Sequence, residues 1–528
     1  MRIVDEGNWL QKDHPIGHIW WQASVPDISP TFVDTHDIDE WAHAQEGNWS
    51  AIISTDEDLW IVTDPMRSFP ILHTYQDGEW LVSSSVQQLR PYLKNWVLDE
   101  VGAEQFRHAG FTLGTRTLIR GVETLLAGYA RRLDADGETL DREIFAHYRS
   151  DTWDRGEDAF VERFDELLHE RFQALLRNAG DRQLLVPLSG GADSRLVLGL
   201  LRDVGATNVV AFTYGTRGST EATLSREVAQ AFGYSWVFVE IDPDEISKQW
   251  VATRNRAFLE ETFTADGLTH IQDWYALGKL REHPRIEPGA VVLPGHTVVG
   301  NEHDDWCFDP ALDFTLDEMV TLVTKHHGIL QNQPEEFENL VAVESREQLL
   351  PYWASANPHM RSRLTAVYNT RSRQAKYISN SVRAYEYFGF TWAMPMLEHT
   401  VWELWLHAPE TFHDSARKHY IEYVNRLSEP YLSTVGKYYQ APFATPTGLR
   451  KAFREVLERT GLLAAARRVY ETHAQLHHPM AFAAFIPPKA RRSLMWELLR
   501  GRHLLGIYAD LMLTNRWVPG ADVVPPRI

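Results

Sequence analysis

The chain has 528 residues, 44% of them apolar, and a formal net charge of −20 at pH 7. That length suits roughly two to four domains of about 150 residues each, and the negative charge argues against bare nucleic acid or an anionic membrane as the main partner. A single cysteine, Cys307, excludes an internal disulfide framework and a thiolate metal cluster. No apolar run approaches the length of a membrane span, and the N-terminus shows no signal-peptide pattern, so a cytoplasmic protein is expected.

Residues 1–150 read as β-rich. Asn48 to Ser54, Leu59 to Thr63, Ile71 to Tyr75 and Glu79 to Ser84 are short runs rich in Ile, Val, Trp and Thr. Asp, Gly and Pro turns separate them, which predicts hairpins and a sandwich. Phe111 to Gly128 follows, with several glycines. Residues 148–157 are polar and read as a linker. From Ala159 to Asn178, Phe160, Phe164, Leu167, Leu168, Phe172 and Leu175 recur at helical spacing.

Leu184 to Leu188 is a short apolar run that suits a buried strand. Ser189-Gly190-Gly191 breaks it, because glycine allows dihedrals that other residues avoid. Leu196, Val197, Leu200 and Leu201 then recur at helical spacing. Strand, glycine turn and helix start leave backbone N–H groups unpaired at a positive dipole end, where anionic oxygens dock. Ser189 and Ser194 add hydroxyls. Asp193 is placed to cap the helix or to hold a phosphate-bound Mg²⁺, directly or through water. The other common phosphate loop, Gly-x-x-x-x-Gly-Lys-Ser/Thr, does not occur. Asn208 to Thr213 and Trp236 to Ile241 read as further strands, with a helix from Ser219 to Phe232 between them. Such alternation implies a parallel sheet, whose ligands bind at the carboxyl ends of the strands.

Val291 to Leu293 is another apolar strand, followed by Pro294-Gly295-His296. Residues 310–360 are amphipathic, and His326-His327 reads there as solvated surface. In residues 368–398, Arg373, Lys376, Asn380, Arg383 and Glu386 fall three or four apart, so several share a helix face. Either this is a salt-bridged face, or Arg373, Lys376 and Arg383 bind a carboxylate or phosphate group. His473, His477 and His478 lack metal-site spacing and read as structural, without zinc.

Ser189-Gly-Gly-Ala-Asp-Ser194 after an apolar strand resembles the pyrophosphate loop of ATP pyrophosphatases, which cleave ATP between the α and β phosphates. Asp64-Pro65-x-Arg67 with Pro70, and then Gly110-x-x-x-Gly114-x-Arg116-Thr-Leu-x-x-Gly121-Val122, resemble the N-terminal glutaminase domain of the asparagine synthetases. The resemblance covers about residues 40–440. It implies an α/β and α+β protein: an Ntn-type β-sandwich over residues 1–150, then a parallel-sheet synthetase domain with helical additions over 151–528. The family's nucleophile is a cysteine at position 2. Here that position is Arg2, so loss of glutamine hydrolysis is expected.

The resemblance also assigns roles. ATP with Mg²⁺ docks at Leu188, Ser189, Gly190, Gly191, Ala192, Asp193 and Ser194, with Phe212 and Thr213 near the adenine and Gly295 and His296 near the phosphates. Where the family has a metal-binding Asp-Glu pair, this chain has none in register, and Glu302 is the nearest substitute. Asp193 and Glu302 are thus the expected metal contacts. Arg373, Lys376, Asn380 and Arg383 fall on the segment that walls the family's acceptor site, with Glu386 as a catalytic candidate. Lys437, with Lys418 second, occupies the place of a catalytic lysine that neutralises charge on the adenylate. The implied chemistry is acyl adenylation, then amide formation with release of AMP. Nitrogen would come from free ammonia, an amino compound, a partner glutaminase or an amine on the same substrate. The last is the β-lactam synthetase and lasso-peptide cyclase route. Amidation of a sugar uronate in surface polysaccharide assembly is a further expectation, a non-catalytic nucleotide-binding scaffold another, and a homodimer is open.

Overall fold

The alternating apolar runs of the first 150 residues produce two facing sheets. The structure, a computed structural model, describes residues 2–4, 9–14, 17–24, 37–55, 59–149, 151–251, 254–300, 315–332, 334–353, 363–414, 416–432, 463–486 and 491–515. Its strands are β1 (Arg2–Ile3), β2 (Leu10–His14), β3 (Gly17–Ala23), β4 (Trp49–Ser54), β5 (Leu59–Thr63), β6 (Leu72–Gln76), β7 (Glu79–Ser83), β8 (Glu123–Thr124), β9 (Tyr129–Leu133) and β10 (Thr139–Glu143) in this half. One sheet has the order β1-β7-β6-β8 and the other β10-β9-β5-β4-β3-β2. Several of the 19 tryptophans find their reason in this core. Trp21 stacks on Trp49 at 5.1 Å between ring centres, and Trp41 meets Trp49 edge-on at 5.5 Å. All three are buried, and such pairs add to area burial.

The second half is built on β11 (Leu184–Pro187), β12 (Val209–Gly215), β13 (Ser235–Glu240), β14 (Val291–Val292) and β15 (Thr391–Trp392). They form one parallel sheet in the order β13-β12-β11-β14-β15. Leu185, in the central strand, lies opposite both Val210 and Val292. Strands buried on both faces read as continuous apolar runs, and that is why Leu184 to Leu188 was legible as a strand. The Glu157–Ala179 helix buries Phe160, Phe164, Leu167, Leu168 and Phe172 in the same core.

The two halves meet along a polar seam. Asp64 accepts from the backbone N–H groups of Trp49, Met66 and Ser68 at 2.9–3.1 Å, and this forms the corner that the Asp-Pro-x-Arg pattern marks. Burial raises its pKa to about 6. The corner throws Arg67 into the left-handed region, φ 51°. Its guanidinium crosses the seam to the wholly buried Asp266. The glycine-containing segment pairs across it too: Thr112 and Leu118 donate to the carbonyls of Asp266 and Ala265, and Leu268 donates to that of Gly110. At Gly267 a Cβ would stand 1.8 Å from the Lys376 carbonyl oxygen, so only glycine fits.

Residues 310–360, uninformative as sequence, include helices at Leu316–His327 and Pro334–Trp353. His327 is not solvated surface, as the sequence suggested. It is buried, with its ring against Phe111 and Tyr368. Thr370–Ile378 winds as a π-helix, a rare form that concentrates at functional sites. No described helix is long and apolar enough to cross a membrane.

Candidate active site

The phosphate-loop candidate lies at the carboxyl end of β11. Gly190 adopts φ 73°, and a Cβ there would press on Leu224 at 3.0 Å. Gly191 is the N-cap of the Ala192–Asp203 helix, and no side chain caps it. The first N–H groups of a helix lack intrahelical partners, so this end is open to an anion. Ser189 and Ser194 face each other, hydroxyl oxygens 3.5 Å apart. Ser189 Oγ accepts from Gly191 N–H at 3.3 Å, and Arg195 fastens the turn by donating to the Gly190 carbonyl at 3.0 Å. Gly295 closes on the loop from β14, where a Cβ would stand 3.3 Å from Ser194 N. His296 follows, held near neutral form by burial, which lowers its pKa to about 4. Its Nδ1 lies 3.2 Å from Met394 Sδ, at the end of β15.

Thr213 and Phe212 have structural partners. Leu188 N–H donates to the Phe212 carbonyl at 2.8 Å, and Thr213 Oγ1 donates to the Leu188 carbonyl at 2.7 Å. They brace the strand end on which the turn sits.

A residue that the sequence reading missed dominates the loop. Arg417 donates to Asp193 Oδ1 at 2.9 Å, and Tyr420 donates to the same oxygen at 2.8 Å. Arg417 is buried, with backbone φ 52°. A non-glycine residue in that region costs about 1 kcal/mol or more, which the surrounding structure must offset. The signal in sequence was nil: an arginine beside Lys418 has no pattern of its own. Lys418 itself is exposed, and its backbone N–H is capped by Asp414 at 3.2 Å. Lys437 and Glu302 lie outside the described residues.

A Mg²⁺ site needs several oxygen ligands. Among the described residues no group of three His, Cys, Asp or Glu could hold a metal. The loop carboxylate is engaged by Arg417 and Tyr420 instead. A Mg²⁺ held there would rely on Asp193 with substrate phosphates and water for its other ligands, as this ion usually does.

Three of the acceptor residues expected on the 368–398 segment, Lys376, Asn380 and Arg383, have protein partners, and Arg373 acts on His270 together with the loop-side His296. Lys376 is buried at the seam, where Nζ donates to the Gly114 carbonyl at 2.7 Å and to Thr112 Oγ1 at 3.3 Å. Burial lowers its pKa to about 7. Those bonds tie the π-helix to the glycine-containing segment at the seam. Asn380 Nδ2 donates to Thr264 Oγ1 at 3.1 Å. Arg383 donates to the Ser68 carbonyl, lies over Phe69 and Trp392, and pairs with Glu386 at 2.8 Å. Glu386 also accepts from Trp392 Nε1 at 2.8 Å. Arg383 and Glu386 line a different cavity from the one beside the loop. Arg373 lies half-buried on the π-helix, its charge helping to lower the pKa of His270.

The loop-side cavity lies between the halves and encloses about 910 Å³ of empty space, its mouth included. Its walls are largely apolar, with Val298, Leu397, Trp402, Trp405 and Phe412, and its polar groups include Thr297, Asn369, His413 and Asp414. Thr297 joins it to the loop through a side-chain hydrogen bond with Tyr420. Two polar atoms of its lining are buried without a hydrogen-bond partner: Asn369 Oδ1 and His413 Nε2.

Residues 163–285 match the family model for asparagine synthase. No curated protein matches the chain in sequence. Among solved structures, an NH3-dependent NAD synthetase from Campylobacter jejuni is similar at 15% identity, over 40% of this chain and 92% of that one, with TM-score 0.22. A U34-tRNA thiolase from Methanococcus maripaludis is similar at 10% identity, over 64% and 80%, with TM-score 0.21. A glutamine phosphoribosylpyrophosphate amidotransferase from B. subtilis matches at 10% identity, over 56% and 65%, with TM-score 0.17.

Proposed function

We propose that this chain joins a carboxylate to a nitrogen nucleophile at the expense of ATP, through an acyl adenylate and with release of AMP and pyrophosphate. The match to the asparagine synthase family model supports ATP-dependent amide formation in general. The observation that carries the finer reading is the open helix end at Gly191, flanked by two hydroxyls and a buried guanidinium. An anionic leaving group seated there is the arrangement that departure of pyrophosphate from the α phosphorus calls for. Arg417 would exchange Asp193 for phosphate oxygens as charge develops on them. The adenine would sit against the ends of β11 and β12. The adjoining cavity would hold the acceptor, within reach of the α phosphorus.

Glutamine is not the nitrogen source in this reading. No cysteine precedes Cys307, and Arg2 stands in β1, paired with Leu81 of β7. The sandwich would serve as a wall of the acceptor cavity, to which it contributes His147 and Tyr148. Product analysis tests the proposal. The pure protein is given ATP, Mg²⁺, ammonium and pooled carboxylates, with uronates, amino acids and nucleotide-sugar uronates among them. AMP and pyrophosphate formed with one pool are the expected result. ADP and phosphate would sink the adenylate reading. Tight ATP binding without turnover in any pool would favour a nucleotide-binding scaffold, a second reading that the Arg417–Asp193 pair supports because it engages one oxygen of the loop carboxylate.

A further inference from the structure

Resting on that reading, we infer that the acceptor is a carboxylic acid with an apolar, aromatic-sized body, and that Arg363 seats its carboxylate in the cavity beside the loop. Arg363 is buried and lines that cavity. Its guanidinium is pinned to the wall: Nη2 donates to the Ala408 carbonyl at 3.1 Å and Nη1 to that of Leu406 at 3.5 Å. Leu406 lines the same cavity. Among the described residues no carboxylate forms an ion pair with Arg363, and its Nε–H makes no hydrogen bond; Glu410 acts on it only through its field. Burial lowers its pKa only to about 10, so it is charged at neutral pH. Two carbonyls satisfy some of its hydrogens and leave the charge unneutralised. A buried charge is normally paired, so this one calls for an anion.

The other ionisable groups of the lining do not supply one. Arg149 is exposed and pairs with Asp151 at 3.1 Å. His147 and His413 are kept neutral by burial, His413 with a bond to the Ala408 carbonyl. Among the described residues of the lining, Asp414 is the one carboxylate. Both its oxygens accept from the Lys418 N–H at 3.2 Å, at the start of the Lys418–Ser428 helix, where the helix dipole favours negative charge. In a chain of net charge −20, this lining is a local exception that suits an anion.

The walls define the rest of the ligand. Trp402, Trp405 and Phe412 give aromatic faces, and Leu397 and Val298 complete an apolar lining. A pocket of this size and character suits a small molecule with an apolar body. A sugar uronate would leave its hydroxyls against indole and phenyl rings, and an amino acid would bring its ammonium beside Arg363. The guanidinium also eases the step itself. A carboxylate that nears the phosphates of ATP meets like charge, and a cation beside it lowers that repulsion most in an enclosed site. One carboxylate oxygen then bonds to the α phosphorus, the bond from that phosphorus to the bridging oxygen breaks, and pyrophosphate leaves with the electron pair.

The test is calorimetric titration of the full chain with hydrocinnamate as the probe. Its amide, hydrocinnamamide, carries the same body without the charge, and glucuronate carries the charge on a sugar. Hydrocinnamate should bind with Kd below about 1 mM, at least about tenfold more tightly than either control. Arg363→Met should erase the advantage of acid over amide and leave amide binding unchanged, which also shows that the variant folds. Arg363→Lys should keep part of that advantage, since the charge stays and the planar fork goes. Ala366→Trp, at an exposed residue of the lining, plugs the cavity and should weaken hydrocinnamate and its amide more than about tenfold with ATP binding kept. If Arg363→Met does not fold, the acid-to-amide ratio of the parent and the other two variants decide. No binding of hydrocinnamate below about 1 mM, amide or glucuronate binding equal to it in the parent, or an undiminished advantage in Arg363→Met overturns the inference. If a uronate pool then still gives AMP, the proposed function survives without it. If binding depends on Arg363 and no carboxylate pool yields AMP, the seat stands and the adenylating reading falls.

Discussion

Two buried cation–carboxylate networks lie in this molecule, and they are built for different ends. At the seam, Arg67, Asp266 and Lys376 are almost wholly enclosed. Their hydrogens are spent on Thr124, Asp266, Gly114 and Thr112. At the loop, Arg417 is as deeply buried, with 8% of its side chain exposed, but its partner Asp193 keeps 30%. That carboxylate sits at an uncapped helix start, and Tyr420 connects it to the cavity that Thr297 lines. The first network is closed to solvent and stabilises the seam, although Asp266 Oδ1 is left in it without a hydrogen-bond partner. The second is unfinished without a ligand. A buried ion pair by itself is weak evidence of either role, and what separates these two is what surrounds them.

The comparison breaks most visibly at the seam. Asp266→Ala strands two buried cations, and removing one partner of a buried pair costs about 3–5 kcal/mol. Denaturant unfolding should show that loss, with the midpoint shifted and the slope retained. A loss under about 1 kcal/mol would mean that water reaches the seam and that the network is not closed. At the loop the larger effect should fall on turnover. Arg417→Ala should cut AMP formation by about 100-fold, roughly 2.7 kcal/mol of transition-state stabilisation. Its stability should change less than that of Asp266→Ala, because the remaining carboxylate is in contact with solvent. Equal loss of folding in both variants would erase the distinction.

Lys376 gives a pH-dependent version of the same contrast. Its folded-state pKa, about 7, lies below the ordinary lysine value because of burial. The unfolded chain therefore binds more protons between about pH 7 and pH 10.4, and stability rises with pH across that window. Lys376→Met removes the dependence. Measured against that variant, the parent should gain up to about 2 kcal/mol from pH 7 to pH 9. A flat difference would show that the amine is charged when folded.

Much of this was legible in the sequence because it rests on local rules. Leu184 to Ser194 has strand periodicity, glycines and a helix start in one stretch, and the structure places a strand, a positive-φ turn and a helix there. The Asp64 corner and the glycines from 110 to 121 were visible as a pattern, though their physical reason, the seam with Ala265 to Leu268, lies about 150 residues away and leaves no local mark. The 368–398 segment was legible as helical and charged. Its charges could be read as a salt-bridged face or as ligand-binding, because three-and-four spacing places residues on one face without saying what that face meets. The π-helical winding from Thr370 shifts that spacing as well. Arg417 and His413 were illegible. Their roles come from contacts with Asp193 and Ala408 that only the folded chain brings about.

The smallest expected effect tests the finest part of the contrast. Tyr420→Phe keeps the buried ring and deletes one hydroxyl. That hydroxyl donates to Asp193 and is bonded to Thr297, so it links loop and cavity. The carboxylate keeps Arg417 and its contact with solvent, so it is not stranded. The expected loss is about one hydrogen bond, near 1 kcal/mol or fivefold. Where that loss appears is the informative part. If the hydroxyl only props Asp193, the KM for ATP rises and the acceptor dependence is unchanged. If it couples the two sites, ATP should no longer sharpen acceptor binding, and by linkage the acceptor should no longer sharpen ATP binding. Titrating each ligand in the presence of the other, for the parent and for Tyr420→Phe, separates the two outcomes. An ATP–acceptor coupling equal in both proteins would place the communication between the sites elsewhere than Tyr420.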